Sequence, residues 1–288
     1  MPIPRISFEF FPPQTLDASF RLWETVQVLA PLKPNFVSVT YGAGGTTRKL
    51  THEAVTTIGR NYGLNVAAHL TCVEATKAET LEIAATYAAA GVREIVALRG
   101  DAPKGAQRFT PHPEGFAHSV ELIETLAATG NFTLRVGAYP EPHPDAADTK
   151  ADVAWLKRKL DAGASSAITQ FFFEAETFFR FRDACEKAGI TAPIIPGILP
   201  IISWDGAKRL ATRCGTSIPG WLDAAYAHAA RDGVEALFST AMATELCDDL
   251  LQGGVEDLHF YTLNRPHMTH DICHALGILP EVTLAKVA

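Results

Sequence analysis

The chain has 288 residues, a formal net charge of −7 and a hydrophobic content of 47%. This length suits one large domain or two small ones, and the composition allows a substantial buried core. The net negative charge argues against nucleic acid as the main partner. No stretch offers the roughly 18 uninterrupted apolar residues of a membrane span, and the first residues lack the charged and then apolar run of a secretory signal.

The five cysteines lie far apart without a CxxC pair, and the ten histidines form no HExxH motif. Widely spaced cysteines are typical of a reduced, cytoplasmic protein and not of a disulfide framework. The same spacing predicts no metal site. We therefore expect a cytoplasmic protein with neither membrane nor nucleic-acid partners.

Short runs typical of strands alternate with longer runs of helical periodicity along the whole chain. The predicted strands are Arg5–Phe10, Asn35–Thr40, Asn65–Cys72, Glu94–Arg99, Thr133–Ala138, Ala167–Phe173, Ala192–Ile198 and Asp257–Leu263. Helices such as Thr76–Ala90 and Ala151–Ala162 lie between them, and several end at a glycine that suits a helix C-terminus. This alternation favours a (β/α)8 TIM barrel, with residues 1–288 as a single domain. A doubly wound open sheet is the alternative.

The longest connection runs from about residue 199 to residue 256, between the last two predicted strands. It predicts at least two helices, and Ile218-Pro219-Gly220 is the expected break between them. No low-complexity linker interrupts the chain, which supports one domain.

The first strand carries an acidic residue, Glu9, among Phe8, Phe10 and Phe11, and two prolines end the strand. A carboxylate held among aromatic rings lies where ionisation is costly, which favours a general acid. The alternative is that Glu9 points to solvent or pairs with an arginine. The remaining strand ends favour the first interpretation.

Polar side chains follow seven of the predicted strands, where the active site of a barrel lies. These positions are Glu9; Thr40 and Tyr41 with Gly42–Gly45; His69 and Thr71; Arg99 to Asp101; Tyr139 to His143; Gln170; and Asn264 with Arg265. Taken singly, the glycine run suits a flexible turn, His69 suits barrel packing, and Arg99 and Asp101 could pair with each other. Their convergence predicts one active site.

The chemistry of this set suits a flat, nitrogen-rich ligand with a charged tail, because it combines a guanidinium, carboxylates, an amide and aromatic rings. Arg158 and Lys159 add positive charge late in a helix, where a dinucleotide phosphate could be held. The alternative is a solvated basic helix end that complements the helix dipole. Phe171, Phe172 and Phe173 are expected in the core.

Eight motifs in this order identify a family. They are SFEFFPP, FVSVTYGAGG, AAHLTC, EIVALRGD, GAYPEPHPDA, LKRKLDAGASSAITQFFF, IIPGILPI and HFYTLNRP. Together they resemble methylenetetrahydrofolate reductase of the bacterial, catalytic-domain-only type, from Ile6 to about Gly277. The resemblance implies a (β/α)8 barrel with non-covalent FAD, which reduces 5,10-methylenetetrahydrofolate to 5-methyltetrahydrofolate with NADH or NADPH. It also implies a homo-oligomer, because the family tends to oligomerise.

The resemblance also implies residue roles. Glu9 matches the general acid that protonates folate N10, so that the imidazolidine ring opens to a 5-iminium cation. Asp101 matches the carboxylate that stabilises this cation. Gln170 matches the amide that binds the pterin, and Arg265 the guanidinium near the folate. Trp204 stands where relatives carry an aromatic residue that stacks on folate or nicotinamide.

The implied FAD positions extend over several strand ends and one helix. They are Thr40, Tyr41, Ala43, His69, Arg99, Gly100, Asp101, Ala117, Tyr139, His143, Ala146, Asp152, Arg158 and Lys159. Two further positions depart from the family pattern, with Trp155 in place of an asparagine and Ser119 in place of an aspartate. These departures leave open a flavin-free reductase, and a folate- or flavin-binding barrel without catalysis is the alternative from another class.

Overall fold

The computed structural model describes residues 3–41, 47–101 and 109–280. Within these residues, nine parallel strands form one sheet in the order β7-β6-β5-β4-β3-β2-β1-β9-β8. The strands are β1 Arg5–Phe10, β2 Phe36–Val39, β3 Val66–Thr71, β4 Glu94–Leu98, β5 Thr133–Ala138, β6 Ser166–Thr169, β7 Ile194–Ile195, β8 Gly197–Ile198 and β9 Asp257–Tyr261.

The sheet closes through a strand that is interrupted at Pro196. β7 pairs with β6, and β8 pairs with β9, so these two short strands occupy the one position predicted for Ala192–Ile198. Pro196 has no N–H to donate, which explains the interruption. The eight strand positions therefore form a closed ring, so the predicted (β/α)8 barrel is confirmed and the open-sheet alternative is wrong.

Ten α-helices surround and cover the barrel in the described part of the chain. They are α1 Leu16–Leu29, α2 Arg48–Tyr62, α3 Lys77–Ala89, α4 Ser119–Ala128, α5 Thr149–Asp161, α6 Ala175–Lys187, α7 Trp204–Cys214, α8 Gly220–Arg231, α9 Glu235–Gln252 and α10 Pro266–Ala275. Thr76 and Glu79 form a capping box that begins α3. The glycine that follows α3, Gly91, has φ 87°, as its predicted place at the helix end requires.

The predicted break at Ile218-Pro219-Gly220 is confirmed, and three helices fill the long connection, in agreement with the prediction of at least two. The segment between α7 and α8 is bound to the C-terminal face of the barrel. Thr216 Oγ1 donates to the Phe171 carbonyl at 3.2 Å, and the Ser217 N–H donates to the Glu141 carboxylate at 3.1 Å. The C-terminal end of α7 therefore reaches the loop after β5.

Two apolar layers fill the fold, because alternate strand residues point to opposite sides of the sheet. Phe8 and Phe10 belong to a cluster between barrel and helices, with Leu22 and Val26 of α1. Inside the barrel, Phe36 belongs to a second cluster with residues of β3, β4, β6 and β7. Phe171 and Phe172 are 2% exposed, as expected of core residues, although β6 ends before them.

None of the described helices has both the length and the apolar character needed to cross a bilayer.

Candidate active site

A cavity of about 440 Å³ opens beyond the C-terminal ends of β3, β4 and β5 and runs along α5. Nine of the positions assigned to FAD line it, namely Tyr41, Arg99, Gly100, Asp101, Tyr139, His143, Ala146, Asp152 and Lys159. The residues come from four separate stretches of the chain. The structure therefore brings together most of the cofactor site that the sequence predicts.

Lys159 is the buried cation of this cavity. Its Nζ donates to the Gly137 carbonyl at 2.5 Å, and burial lowers the pKa of its ammonium group to about 8. Asp152, on the preceding turns of α5, acts in the opposite direction and raises this pKa. The alternative of a solvated helix end is therefore wrong for Lys159. A desolvated ammonium group on a cavity wall is suited to an anionic ligand.

Arg99 pairs with Asp145 and not with Asp101, so the interpretation of Arg99 and Asp101 as a mutual pair is wrong. The distance from Arg99 Nη2 to Asp145 Oδ2 is 2.9 Å. Asp101 is exposed at the cavity wall. Burial, reinforced by the charge of Asp101, raises the pKa of Tyr139 to about 12. Asp101 is therefore available to a ligand in the cavity.

Gly100 lets the backbone pass close to the cavity wall. It has φ 87°, and a Cβ placed on it would lie 2.4 Å from Val73 Cγ2 and 3.0 Å from Thr71 Cβ. Side chains with a Cβ rarely adopt such a φ. The wall here requires glycine for both reasons.

Glu9 lies inside the barrel beside two histidines. Its Oε2 is 3.4 Å from His69 Nε2 and 4.0 Å from His259 Nε2, and its side chain is only 14% exposed. His259 is in turn bonded through Nδ1 to Ser7 Oγ at 2.8 Å. The interpretation that Glu9 points to solvent is therefore wrong.

The aromatic surroundings predicted for Glu9 are also wrong. Phe8 and Phe10 point away from it into the outer layer, and Phe11 is 40% exposed. Strand alternation accounts for this, since Phe8 and Phe10 are the residues next to Glu9 on β1 and therefore point to the opposite face of the sheet. The burial of Glu9 comes from residues on neighbouring strands.

His69 is buried, and its Nε2 has no hydrogen-bond partner among the described residues. Burial lowers its pKa, and the charge of Glu9 only partly counteracts this. His69 is thus not the satisfied packing histidine of the alternative interpretation. His259 was missed at the sequence level, although the alternation of β9 places it on the same face as Tyr261 and could have identified it.

The three residues assigned to the substrate do not line the cavity. Gln170 Oε1 accepts from the Phe171 N–H at 3.0 Å. Trp204 is 8% exposed, and its ring stacks on Tyr226 at a centroid distance of 4.4 Å. Arg265 is exposed and precedes α10. The structure thus buries Trp204, with Tyr226 on one face of its ring.

The two departures from the family pattern, Trp155 and Ser119, both line the cavity. The Arg158 guanidinium stacks on the Trp155 ring at 4.4 Å, and His118 meets the same ring edge-on at 5.3 Å. Trp155 therefore forms an aromatic wall with a cation behind it.

Five of the residues assigned to FAD are not found among the residues that line the cavity. Thr40, His69, Ala117 and Arg158 are not among the lining residues, and Ala43 falls outside the described part of the chain together with Gly42, Gly44 and Gly45. No group of three or more potential metal ligands occurs among the described residues.

Comparison with known sequences gives a consistent result. The family model for methylenetetrahydrofolate reductase matches residues 3–277. The 5,10-methylenetetrahydrofolate reductases of Salmonella typhimurium and Escherichia coli are each 45% identical, and the alignments cover 96% of this chain and 91% of theirs. A probable methylenetetrahydrofolate reductase (NADH) from Oryza sativa is 34% identical over 97% of this chain and 49% of its own.

Comparison with solved structures supports the fold alone. A protein from Clostridium thermocellum, which binds two copies of 5-methyl-5,6,7,8-tetrahydrofolic acid, superposes with a TM-score of 0.61 at 15% identity, over 96% of this chain and 94% of its own. A dihydropteroate synthase from Stenotrophomonas maltophilia superposes with a TM-score of 0.53 at 12% identity, over 96% and 92%.

Proposed function

The chain belongs to the methylenetetrahydrofolate reductase family, and from this premise we propose that it converts 5,10-methylenetetrahydrofolate to 5-methyltetrahydrofolate with FAD and a nicotinamide dinucleotide. The observation that carries the proposal is a cavity lined by Asp101 and Lys159 beyond the strand ends, together with the buried Glu9 beside His69 near the end of β1. NADH as donor is favoured by the name of the rice relative. A folate substrate agrees with the ligand of the Clostridium protein.

The residues of the cavity fit a dinucleotide such as FAD. Lys159 and Arg99 supply positive charge for its phosphates, and Gly100 leaves the backbone close to the ligand. Thr71 lines the same cavity, and its buried Oγ1 has no partner among the described residues, so it is free to bind a ligand. Trp155 offers an aromatic face. The bound flavin supplies the hydride chemistry, and the protein supplies position and electrostatics.

Glu9 is the proposed proton donor to folate N10. Its carboxyl group lies largely out of water and beside His69, which burial keeps in its neutral form. The Glu9 carboxyl group therefore faces the neutral ring of His69. Such a site suits an acid that must protonate a weakly basic amine.

Asp101 is the proposed stabiliser of the 5-iminium cation. Asp101 lies at the wall of the cavity along α5, and it forms no ion pair with Arg99, whose partner is Asp145. An unneutralised carboxylate lowers the energy of a nearby developing cation.

Folate and nicotinamide are proposed to use the same place in turn, which gives ping-pong kinetics. The sequence carries one cluster of polar strand ends and no GxGxxG motif for a second dinucleotide site. In this scheme the reduced nicotinamide binds, is oxidised, and leaves the site before folate enters it. Parallel double-reciprocal plots, with inhibition by excess substrate, are expected.

The absorbance spectrum of the purified protein tests the proposal. We expect a band near 450 nm that is lost on anaerobic addition of NADH and restored by methylenetetrahydrofolate. A colourless protein that still reduces the folate would favour the flavin-free reductase, the second candidate, for which Trp155 and Ser119 are the motivating departures. A coloured or colourless protein without turnover would contradict the enzyme assignment.

A further inference from the structure

The indole ring of Trp155 forms part of the wall of the cavity along α5. It is only partly buried, although an aromatic ring of this size is usually well covered in a folded protein. Two neighbours hold it in place. The Arg158 guanidinium lies over the ring at 4.4 Å from its centroid, and the His118 ring stands nearly perpendicular to it at 5.3 Å. The indole is therefore fixed while part of its surface stays open to a ligand.

The contact with His118 joins α5 to the start of α4. His118 is itself fixed, because its Nδ1 accepts from the Glu121 N–H at 3.4 Å and caps α4. Ser119, the next residue, is 4% exposed and lines the same cavity as Trp155. The position of the indole is thus set by two helices before any ligand binds, which lowers the entropic cost of using it as a contact.

The side chains beside the indole are short or apolar. Three alanines and a leucine share the cavity wall with it, on α5 or in the segment that leads into this helix, at Ala146, Ala147, Ala151 and Leu156. The nearest carboxylate in sequence, Asp152, already accepts from the His143 N–H at 2.8 Å. This part of the wall therefore offers a flat, mainly apolar surface with few side-chain groups that can hydrogen-bond the edge of a ligand.

A buried cation lies one helical turn from the indole. Trp155 and Lys159 are four residues apart on α5, which places them on one face with roughly 5–6 Å between their Cβ atoms. Both line the cavity, and Lys159 is the ammonium group proposed above for a phosphate. An aromatic ring beside a cation at this spacing suits a nucleotide, whose base and phosphate are joined through a ribose.

We propose that Trp155 is the platform on which the base of a bound dinucleotide stacks, and that this protein recognises the base by its flat shape and not by its hydrogen-bonding edge. The inference rests on the proposed function, because that function brings FAD and a nicotinamide dinucleotide to the protein. Both ligands carry an adenosine diphosphate unit, so they share the chemistry that the platform recognises. Arg158 acts as a positioning residue that holds the indole from behind.

The test measures the binding of ADP and GDP to the protein freed of flavin, by isothermal titration calorimetry. Because stacking uses the π-face that every base carries, the two dissociation constants should differ by less than about 10-fold. The W155F variant keeps an aromatic platform and should bind both nucleotides. The W155L variant keeps an apolar side chain without a ring and should bind both about 5- to 150-fold more weakly, the range for one stacked base.

FMN separates a base platform from a purely structural role, because it carries the flavin and one phosphate but no adenine. The W155L variant should raise the Kd for FAD and leave the Kd for FMN unchanged. The matched control is W221L, which removes an indole that is 48% exposed on α8 and does not line the cavity. This control should change neither constant.

The W155L variant also distinguishes the two dinucleotides. A higher Kd for FAD, with an unchanged KM for NADH in the FAD-loaded enzyme, assigns the platform to the adenine of FAD, which is the result we expect. A higher KM for NADH with unchanged affinity for FAD assigns it to the nicotinamide dinucleotide. Both results support a base platform at Trp155.

Three results would overturn the platform, and none of them depends on turnover. They are equal weakening of FMN and FAD binding in W155L, equal affinities in W155L and W221L, and binding of ADP more than about 10-fold tighter than GDP. The last preference requires hydrogen bonds to the edge of the base. Failure to reduce methylenetetrahydrofolate, with binding of ADP intact, would instead overturn the proposed function and leave the platform.

Discussion

His69 Nε2 lies 3.4 Å from the Glu9 carboxylate, and it has no hydrogen-bond partner among the described residues. The two side chains come from β1 and β3, which are separated by β2. Ser38 of β2 pairs in register with Glu9 on one side and with Ala67 on the other. A buried histidine that is kept neutral beside a buried carboxyl group is costly to the fold. We interpret the pair as part of the reaction site and not as a stabilising ion pair.

The first prediction concerns how the stability of the protein changes at acid pH because of His69. Because burial lowers the pKa of His69 in the folded protein, the unfolded chain binds more protons below its ordinary pKa of 6.5. The free energy of unfolding should therefore fall between pH 7 and pH 5, and it should fall less in an H69Q variant. Urea denaturation at several pH values measures this. The H267Q variant is the control, because the His267 side chain is 79% exposed, and its slope should match the unmodified protein.

Lys159 gives a second prediction, with the same pH direction but in an alkaline window. Its pKa is lowered from 10.5 to about 8 in the folded protein, so the unfolded chain binds more protons between these values. Relative to a K159M variant, the protein without cofactor should gain stability as pH rises from 8 to 10.5, by at most about 3 kcal/mol. Added FAD should flatten this dependence, because phosphate charge favours the protonated amine.

The control for Lys159 is Lys157, two residues earlier on α5. Its side chain is 41% exposed and pairs with Asp161 at 3.0 Å. A K157M variant should show the pH dependence of the unmodified protein. The same slope in K159M would contradict a desolvated ammonium group at Lys159.

Gly100 and Gly91 form a matched pair for a third prediction. Both have φ 87°, but a Cβ on Gly91 would meet nothing within 4 Å, while one on Gly100 would press on Val73 and Thr71. We expect G91A to cost about 1–2 kcal/mol from backbone strain alone. G100A should cost about 1–3 kcal/mol more because of overpacking, and it should also weaken FAD binding. Equal losses of stability in the two variants would contradict the close wall at Gly100.

A fourth prediction separates the two halves of the reaction at Asp101. The D101N variant should keep FAD and be reduced by NADH at a nearly normal rate, since that half-reaction forms no iminium. Reduction of methylenetetrahydrofolate should slow by about 10²- to 10³-fold, the loss typical of one transition-state interaction. Stopped-flow measurement of each half-reaction decides. Equal slowing of both half-reactions would make Asp101 a general flavin-site residue. The control is D232N, at the exposed end of α8, which should slow neither half-reaction.

Sequence patterns identify the barrel because strand and helix periods are local properties. The predicted first and fifth strands match β1 and β5 in both bounds. The predicted seventh strand differs, because Pro196 lacks a ladder donor and divides it into β7 and β8. The predicted sixth strand extends too far, to Phe173, whereas β6 ends at Thr169. The apolar run that follows β6 has the composition of a strand, but its residues pack beyond the end of β6.

The composition of the site is less accessible from sequence, because it depends on contacts between strands. The alternation of β1 already places Phe8 and Phe10 on the face opposite Glu9. The histidines that do surround Glu9 come from β3 and β9, 60 and 250 residues away. Trp204 shows the same limit, since its stacking on Tyr226 depends on how α7 and α8 meet. A residue type can be assigned a role from sequence, but its neighbours require the fold.

The last prediction concerns the proton that Glu9 is proposed to deliver. In an E9Q variant the side chain keeps its shape and hydrogen-bonding capacity but cannot give a proton to N10. Oxidation of NADH with an artificial electron acceptor needs only the flavin, so it should persist. Reduction of methylenetetrahydrofolate should fall by at least about 10²- to 10⁴-fold, the range typical of losing a general acid. The E82Q variant, which changes an exposed glutamate on α3, should change neither rate.

A structural role for Glu9 makes a different prediction. Because its carboxyl group lies among buried histidines, a purely structural carboxylate would lower the free energy of unfolding when replaced and would damage both half-reactions together. Thermal unfolding of E9Q, loaded with FAD, therefore has to accompany the kinetics. A folded variant that reduces methylenetetrahydrofolate at nearly the unmodified rate would exclude Glu9 as the acid, because no proton could then have come from residue 9.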